Sequence, residues 1–271
     1  MKLEVILGAY NDSDVLNVVL QGYMNQNDSD FSICIADDGS GPEIRKLVEK
    51  FSNLGLDIRH VWQEDDGFRK SIILNKAIAT SQADRIIFSD GDCIPNPYFI
   101  HDHRVLAHPS KITAGPRVML NKKLTDDLKN GSKEISYLYN TFKLLFLSLF
   151  KQLSKPEQIF RFPSLILPLT KKIKRIGPYG ANMAISREAL LKVNGFDEDY
   201  LGWGGEDTDL VIRLNMLGIK SDGYIGRAAL YHMYHPSRAV DDGDKERATL
   251  KKNKEENRVL SCTNGLDKYL T

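Results

Sequence analysis

The chain has 271 residues, 42% of them hydrophobic and 27% charged, which is ordinary for a globular protein and suits one large domain or two fused small ones. A net charge of +1 argues against an electrostatic nucleic-acid binder. The three cysteines, Cys34, Cys93 and Cys262, lack metal-type spacing, and residues 3–7 are too short for the apolar core of a signal peptide, so a reducing, cytoplasmic setting is expected.

Residues 3–10 read as a first strand, stopped by Asn11-Asp12-Ser13-Asp14, a cluster that supplies a helix N-cap. Val15, Val18, Val19 and Tyr23 then recur at helical spacing. A second strand over 31–36 ends in Asp37-Asp38-Gly39-Ser40, and Ile44, Leu47, Val48 and Phe51 mark the next helix. A third strand over 58–62 precedes a helix carrying Ile72, Ile73, Asn75, Lys76 and Ile78. Next, Ile86-Ile87-Phe88-Ser89 runs out into Asp90-Gly91-Asp92. This alternation predicts an α/β fold with a mostly parallel central sheet, flanking helices and right-handed crossovers. Ligands in such sheets bind beyond the carboxyl ends of the strands. Ala9-Tyr10-Asn11, Asp37-Asp38-Gly39 and Asp90-Gly91-Asp92 would converge there.

Residues i and i+2 of a strand point the same way, so Asp90 and Asp92 would project side by side and repel unless a cation lies between them. Oxygen ligands favour Mg²⁺ or Mn²⁺. Gly91 would let a phosphate approach the backbone, although Asp-Gly is also ordinary turn chemistry. Neither a Gly-x-Gly-x-x-Gly loop nor a P-loop follows the first strand, so a diphosphate would need a metal plus side chains such as Arg69 and Lys70. Asp38 suits either the N3–H of a pyrimidine base or an Asx-turn.

Residues 137–175 break the pattern with an apolar and basic helical insertion. Tyr137, Leu138, Phe142 and Leu144 to Leu147 begin one apolar run, and Phe160, Phe162 and Leu165 to Leu167 form another. Lys143, Lys151, Lys155 and Arg161 punctuate them, and Lys171-Lys172-Ile173-Lys174-Arg175 follows. The first run is too short to span a bilayer and Pro163 and Pro168 break the second. Apolar faces with basic flanks suit peripheral contact with a membrane surface; packing on the protein's own core or on a partner subunit stays open.

A glycine-bearing loop from 176 feeds a strand starting near Asn182, Ser186 has N-cap spacing, and Asn194-Gly195-Phe196-Asp197 ends the helix it starts. Then comes Leu201-Gly202-Trp203-Gly204-Gly205-Glu206-Asp207-Thr208-Asp209. On the helix that follows, Asp207 is expected on the inward face with Leu210, Val211 and Leu214, and Asp209, four before Arg213, in a surface ion pair. The helix N-terminus favours an ionised Asp207, available as a base. His232 and His235 follow a further strand. The mixed charges of 241–258 read as a solvated segment rather than a lid.

Gly202-Trp203-Gly204-Gly205-Glu206-Asp207 downstream of an Asp-x-Asp strand end resembles the GT-A-type glycosyltransferases of family 2. The resemblance is greatest to those with a galactosyltransferase-like C-terminal module, such as chondroitin-polymerase-like and β-1,4-galactosyltransferase-like enzymes, and it covers residues 1–118 and 176–236. It implies one catalytic domain with a nucleotide-binding half (1–118), the insertion (137–175), an acceptor and catalytic half (176–240) and a charged tail (241–271). It also implies that Asp90 and Asp92 hold Mn²⁺ or Mg²⁺ against a nucleotide-diphosphate sugar, UDP-linked by resemblance, with His232, or second His235, as a further ligand. Ala9, Tyr10 and Asp38 would contact base and ribose, and Arg69, Asn75 and Gly91 would line the diphosphate. Trp203, Gly204, Gly205, Glu206 and Asn182 would meet the sugars, and Asp207 would be the catalytic base of an inverting transfer to a saccharide hydroxyl. The insertion departs from the simplest family members, so the resemblance does not extend to the acceptor; its membrane-facing character suggests instead a lipid-linked saccharide acceptor in surface-polysaccharide assembly at the inner face of the cytoplasmic membrane. Three other readings stay open, a sugar-1-phosphate nucleotidylyltransferase, a non-catalytic carbohydrate-binding relic and a membrane scaffold built on residues 137–175. The first would need a glycine-rich, arginine-bearing loop after the first strand, which Gly8-Ala9-Tyr10-Asn11 does not supply.

Overall fold

A computed structural model describes residues 1–161, 177, 180–202, 204–236 and 260–270. In chain order its elements are β1 (Leu3–Ala9), α1 (Ser13–Met24), β2 (Ser32–Asp37), α2 (Pro42–Asn53), β3 (Ile58–Trp62), α3 (Lys70–Ala79), β4 (Arg85–Asp90), β5 (Cys93–Pro95), α4 (Phe99–Val105), β6 (Lys111–Ala114), β7 (Arg117–Met119), α5 (Lys122–Lys129) and α6 (Thr141–Leu149). Then follow β8 (Asn182–Ser186), α7 (Arg187–Lys192), α8 (Glu206–Met216), β9 (Lys220–Gly223) and β10 (Leu230–His232). The expected N-caps form: Asp12 accepts from the Val15 N–H at 3.0 Å, and Ser186 accepts from Ala189 at 3.3 Å.

Seven strands form the main sheet in the order β3-β2-β1-β4-β8-β6-β9. β1 to β4 run parallel, and β8 enters antiparallel between β4 and β6. The two-residue period of a strand divides the core into layers. Val5, Leu7, Ile33, Ile35 and Ile87 face one core with α1, α2, α4, α5 and α6. Ile6, Cys34, Ala36, Ile86 and Phe88 face the other with α3, α7 and α8. A second sheet, β5-β10-β7, stands at the carboxyl end of β4 and carries the chain from Asp92 towards His232.

Within the insertion, a 3-10 turn over Ile135–Tyr139 leads to α6, whose Leu144 and Leu147 bury against Leu138 and Leu153. The insertion therefore packs partly on the protein's own core. The later part of its second apolar run and the basic run 171–175 lie outside the described residues, as does the charged stretch 241–258. Residues 260–270 pack onto the domain. Leu266 is buried, the Asp267 N–H donates to Asn194 at 2.8 Å, and Lys268 pairs with Glu198 at 2.9 Å.

Candidate active site

At the end of β4, the Gly91 N–H donates to the Gly8 carbonyl at 2.8 Å, and a β-carbon on Gly91 would lie 2.9 Å from that oxygen. Gly91 therefore permits a close approach to β1. This contact aims Asp90 and Asp92 out of the sheet. β10 runs antiparallel to β5 with His232 opposite Cys93, and the Met233 N–H donates to the Asp92 carbonyl at 2.9 Å. Both histidines thereby reach Asp92: its Oδ2 is 3.5 Å from His232 Nε2 and 3.4 Å from His235 Nε2.

His235 Nδ1 lies 2.9 Å from the Pro236 carbonyl, an acceptor, so in the neutral ring Nδ1 carries the proton and the Nε2 lone pair faces Asp92. Two lone-pair bearers facing each other need a proton or a metal cation between them. Burial holds the His232 imidazole below its ordinary pKa, against the pull of Asp92, and burial raises the Asp92 carboxyl, reinforced by Asp90. Donor atoms of Asp92, His232 and His235 lie within 4.8 Å of one another, as do those of Asp90, Asp92 and Cys93. A carboxylate with two imidazoles fits a divalent transition ion, and the histidines shift the preference from Mg²⁺ towards Mn²⁺. Burial, then Asp92 and Asp90, pushes the Cys93 thiol well up, which keeps it protonated.

Asp90 has a second partner. Lys70, at the start of α3, places Nζ 2.7 Å from Asp90 Oδ1. Burial opposes the charge on Asp90, but the lysine prevails and lowers the carboxyl pKa. Burial likewise opposes the ammonium of Lys70, which Asp90, Glu206 and Asp207 together hold well above its ordinary pKa. Lys70 thus connects the β4 carboxylates with the start of α8. There Gly204 and Gly205 have φ of 104° and 96°, a left-handed turn that favours glycine and swings the chain into the helix.

The buried stripe of α8 is Glu206, Asp209, Leu210, Arg213 and Leu214. Asp207, expected on that inward face, instead sits half-buried at its edge, with Oδ2 accepting from the Gly180 N–H at 2.9 Å. Glu206 is the buried acid. Its Oε2 has no hydrogen-bond partner among the described residues, and burial raises its carboxyl pKa against the attraction of Lys70. The expected surface pair Asp209–Arg213 is a core pair at 2.7 Å, both side chains about 5% exposed or less, and Arg213 also donates to the Val193 and Gly195 carbonyls.

Two expected ligand residues turn out to be braces. Asn75 is fully buried, donates to the Phe196 carbonyl and to Glu198, and accepts from the Phe196 N–H, clamping α3 to the 194–198 loop. Asn182 is buried too, donating to the Ala228 carbonyl at 2.7 Å and meeting His103 Nε2 at 3.1 Å. A side chain spent on core hydrogen bonds is not offered to a substrate. Asp38 accepts from Gln63 and from the Arg69 N–H, an arrangement that ties β2 to the start of α3; burial nevertheless raises its carboxyl pKa. Its N–H donates to the Ala9 carbonyl at 3.0 Å, and Tyr10, half-exposed beside it, donates to Asp65. The Arg69 guanidinium bonds the Glu64 carbonyl and pairs with Asp66 at 3.2 Å. Trp203 lies outside the described residues.

Sequence reading overlooked Arg117. It is exposed on β7, next to β10, and its charge reaches Asp90, Cys93 and His232. No motif marks it, because only the pairing of β7 with β10 brings it to the cluster.

A mostly parallel sheet with carboxylates at the end of β4 and a second acidic pair at a glycine turn defines a GT-A-type fold. The chain belongs to glycosyl transferase family 2, whose family model matches residues 4–192, and it is thereby a glycosyltransferase. Residues 169–236 also match the model described as the N-terminal domain of galactosyltransferase. Chondroitin synthase of Pasteurella multocida is 27% identical over 234 residues, covering 78% of this chain and 23% of that protein. Chondroitin synthase of Escherichia coli is 24% identical over 87% of this chain and 35% of its own length, so the chain spans only about a quarter to a third of these relatives. Human β-1,4-galactosyltransferase 4 is 35% identical over 80 residues, 29% of this chain and 23% of that protein. Among solved structures, a mannosyltransferase of Pyrobaculum calidifontis in complex with GDP-Man and Mn²⁺ superposes with a TM-score of 0.61 at 17% identity, covering 95% of this chain and 65% of that one. TarS of S. aureus with UDP-GlcNAc gives 0.57 at 17% identity, covering 89% of this chain and 61% of that one.

Proposed function

We propose that this protein transfers a sugar from a nucleotide-diphosphate sugar, UDP-linked, to a saccharide hydroxyl with inversion at the anomeric carbon, in bacterial surface-polysaccharide assembly on a lipid-linked acceptor at the inner face of the cytoplasmic membrane. The observation that carries the reading is Lys70, whose charge is shared between Asp90 and the Glu206–Asp207 pair, so that donor-side and acceptor-side acids belong to one pocket. The synthase relatives and the sugar-nucleotide complexes of the structural neighbours support it.

Asp92, His232 and His235, with Asp90 beside them, would hold a divalent metal, which supplies charge neutralisation to a departing diphosphate. Lys70 and Arg117 add positive charge at the same edge. The free oxygen of Glu206 is available to a sugar hydroxyl. Asp207, held through Oδ2 by Gly180, takes the acceptor proton on its other oxygen as the hydroxyl attacks the anomeric carbon from the far side. One displacement inverts that centre. Ala9, Tyr10 and Asp38 form the neighbouring strand ends that face base and ribose.

The test is a thermal-shift screen of UDP- and GDP-sugars with and without Mn²⁺, followed by NMR of the anomeric linkage formed. Metal-dependent stabilisation by a UDP-sugar and a product of inverted configuration are expected. No stabilisation by any sugar nucleotide, or retention of configuration, overturns the reading.

A further inference from the structure

Helix α6 is apolar on two faces. Leu144 and Leu147 bury in the core, and the opposite side presents Phe142, Leu145, Phe146, Leu149 and Phe150 to the outside, with Phe142 83% and Leu149 81% exposed. These five follow the spacing i, i+3, i+4, i+7, i+8, which is a complete helical stripe rather than scattered surface residues. The Phe146 and Phe150 rings touch, their centroids 4.5 Å apart, so the patch is continuous. Soluble surfaces rarely leave such a patch bare.

Charge identifies what covers it. From Ile135 to Arg161 the sequence has four lysines and arginines and a single acid, Glu157, and of the four only Arg161 pairs with an acid, Asp102, among the described residues. Lys143, Lys151 and Lys155 are exposed beside the stripe and make no ion pair among the described residues. A second copy of the chain docking here about a twofold axis would bring these three lysines against their counterparts. An anionic bilayer surface instead meets both features, taking the aromatic and leucine side chains below its headgroups and the lysines at them. The nine residues of α6 reach only about 14 Å, too short to cross, and no described helix is long and apolar enough to span a membrane.

We infer that the outer stripe of α6 is a membrane-interface anchor that holds the protein, lying flat, on lipid surfaces rich in anionic headgroups. The stripe shares no residue with the proposed donor pocket, so its binding needs neither metal nor sugar nucleotide, and it can fail while the proposed transfer reaction holds.

The test is flotation of the full chain with phosphatidylcholine vesicles and with vesicles of 70% phosphatidylcholine and 30% phosphatidylglycerol. Binding to the anionic vesicles, weakened at high salt, is expected, with about tenfold or greater loss in the triple variant Phe142→Ser, Phe146→Ser, Leu149→Ser. That variant spares the buried Leu144 and Leu147, so its Tm and its transfer to a soluble acceptor should stay at wild-type values. Absence of wild-type binding to anionic vesicles overturns the inference, as does undiminished binding by the variant. Light scattering that shows a dimer abolished by the same three changes assigns the stripe to a second copy and likewise overturns it.

Discussion

Asp207 and Glu206 are adjacent in sequence and opposite in environment. Asp207 is half-exposed, its Oδ2 accepting from the Gly180 N–H at 2.9 Å and its Oδ1 from the Thr208 hydroxyl at 3.3 Å, which leaves lone pairs on both oxygens for a base. Asp207→Asn keeps the Gly180 bond and removes the proton acceptor, so transfer should fall about 10²–10⁴-fold while donor-induced stabilisation and Tm persist. Near-normal turnover would remove Asp207 from that role. Glu206 carries a cost instead. Its carboxyl pKa is raised in the fold, burial being the main cause, so the folded chain holds a proton that the unfolded chain releases. Stability therefore declines as pH rises from the unfolded pKa through the folded one. Glu206→Gln should raise Tm at pH 7, with the gain vanishing near about pH 4, and should lose transfer activity. Thermal unfolding across that range checks it. At this scale the sequence was legible where a residue has one environment to choose. Asp90, Asp92 and the Glu206-Asp207 pair fall at a strand end and a helix start that local pattern locates. Asn75 and Asn182 were misread because a polar residue on a helix or at a strand's start looks the same whether it meets a ligand or a carbonyl 46 to 121 residues away.

Elements hold the pocket open through a few contacts between distant segments. The loop over 194–198 leads from α7 towards the turn before α8. Asn75 from α3, Arg213 from α8 and the segment around Leu266 all bond to it. Asn75→Ala breaks three hydrogen bonds at a fully buried position and should cost about 2–3 kcal/mol in urea unfolding, without altering any side chain proposed to meet the donor. The β4–β5 turn has its own requirement. Gly91→Ala places a methyl 2.9 Å from the Gly8 carbonyl, so the turn must shift. The expected outcome is about 1–3 kcal/mol of destabilisation together with weaker Mn²⁺-dependent stabilisation, measured by the thermal shift. Most strands and helices were readable from periodicity, and β3 falls where expected. The direction of β8 was not readable, since an apolar strand has the same alternation whichever way it runs. Nor was the β7–β10 pairing that brings Arg117 to the cluster, because three-residue strands leave too little pattern.

For the whole molecule, the cluster of Asp92, His232 and His235 joins the turn after β4 to the end of β10, some 140 residues apart in sequence. Chelation by EDTA should abolish transfer, and Mn²⁺ should restore it more fully than Mg²⁺ because two of the donors are imidazoles. Activity unchanged by exhaustive chelation would end the metal assignment. The order of β1 to β4 and the family resemblance made the overall architecture accessible from sequence alone. The interleaving of β8 was not. Its residues bond Ser89 to Arg85 on one side and Thr113 and Ala114 on the other, so a strand from beyond the insertion lies inside the sheet of the first half. Chimaeras meant to graft one relative's acceptor specificity onto another's donor specificity cannot be spliced at residue 118, because the graft would hand β4 and β6 a foreign strand. New linkages are better sought by exchanging the turns around the pocket and leaving that strand native.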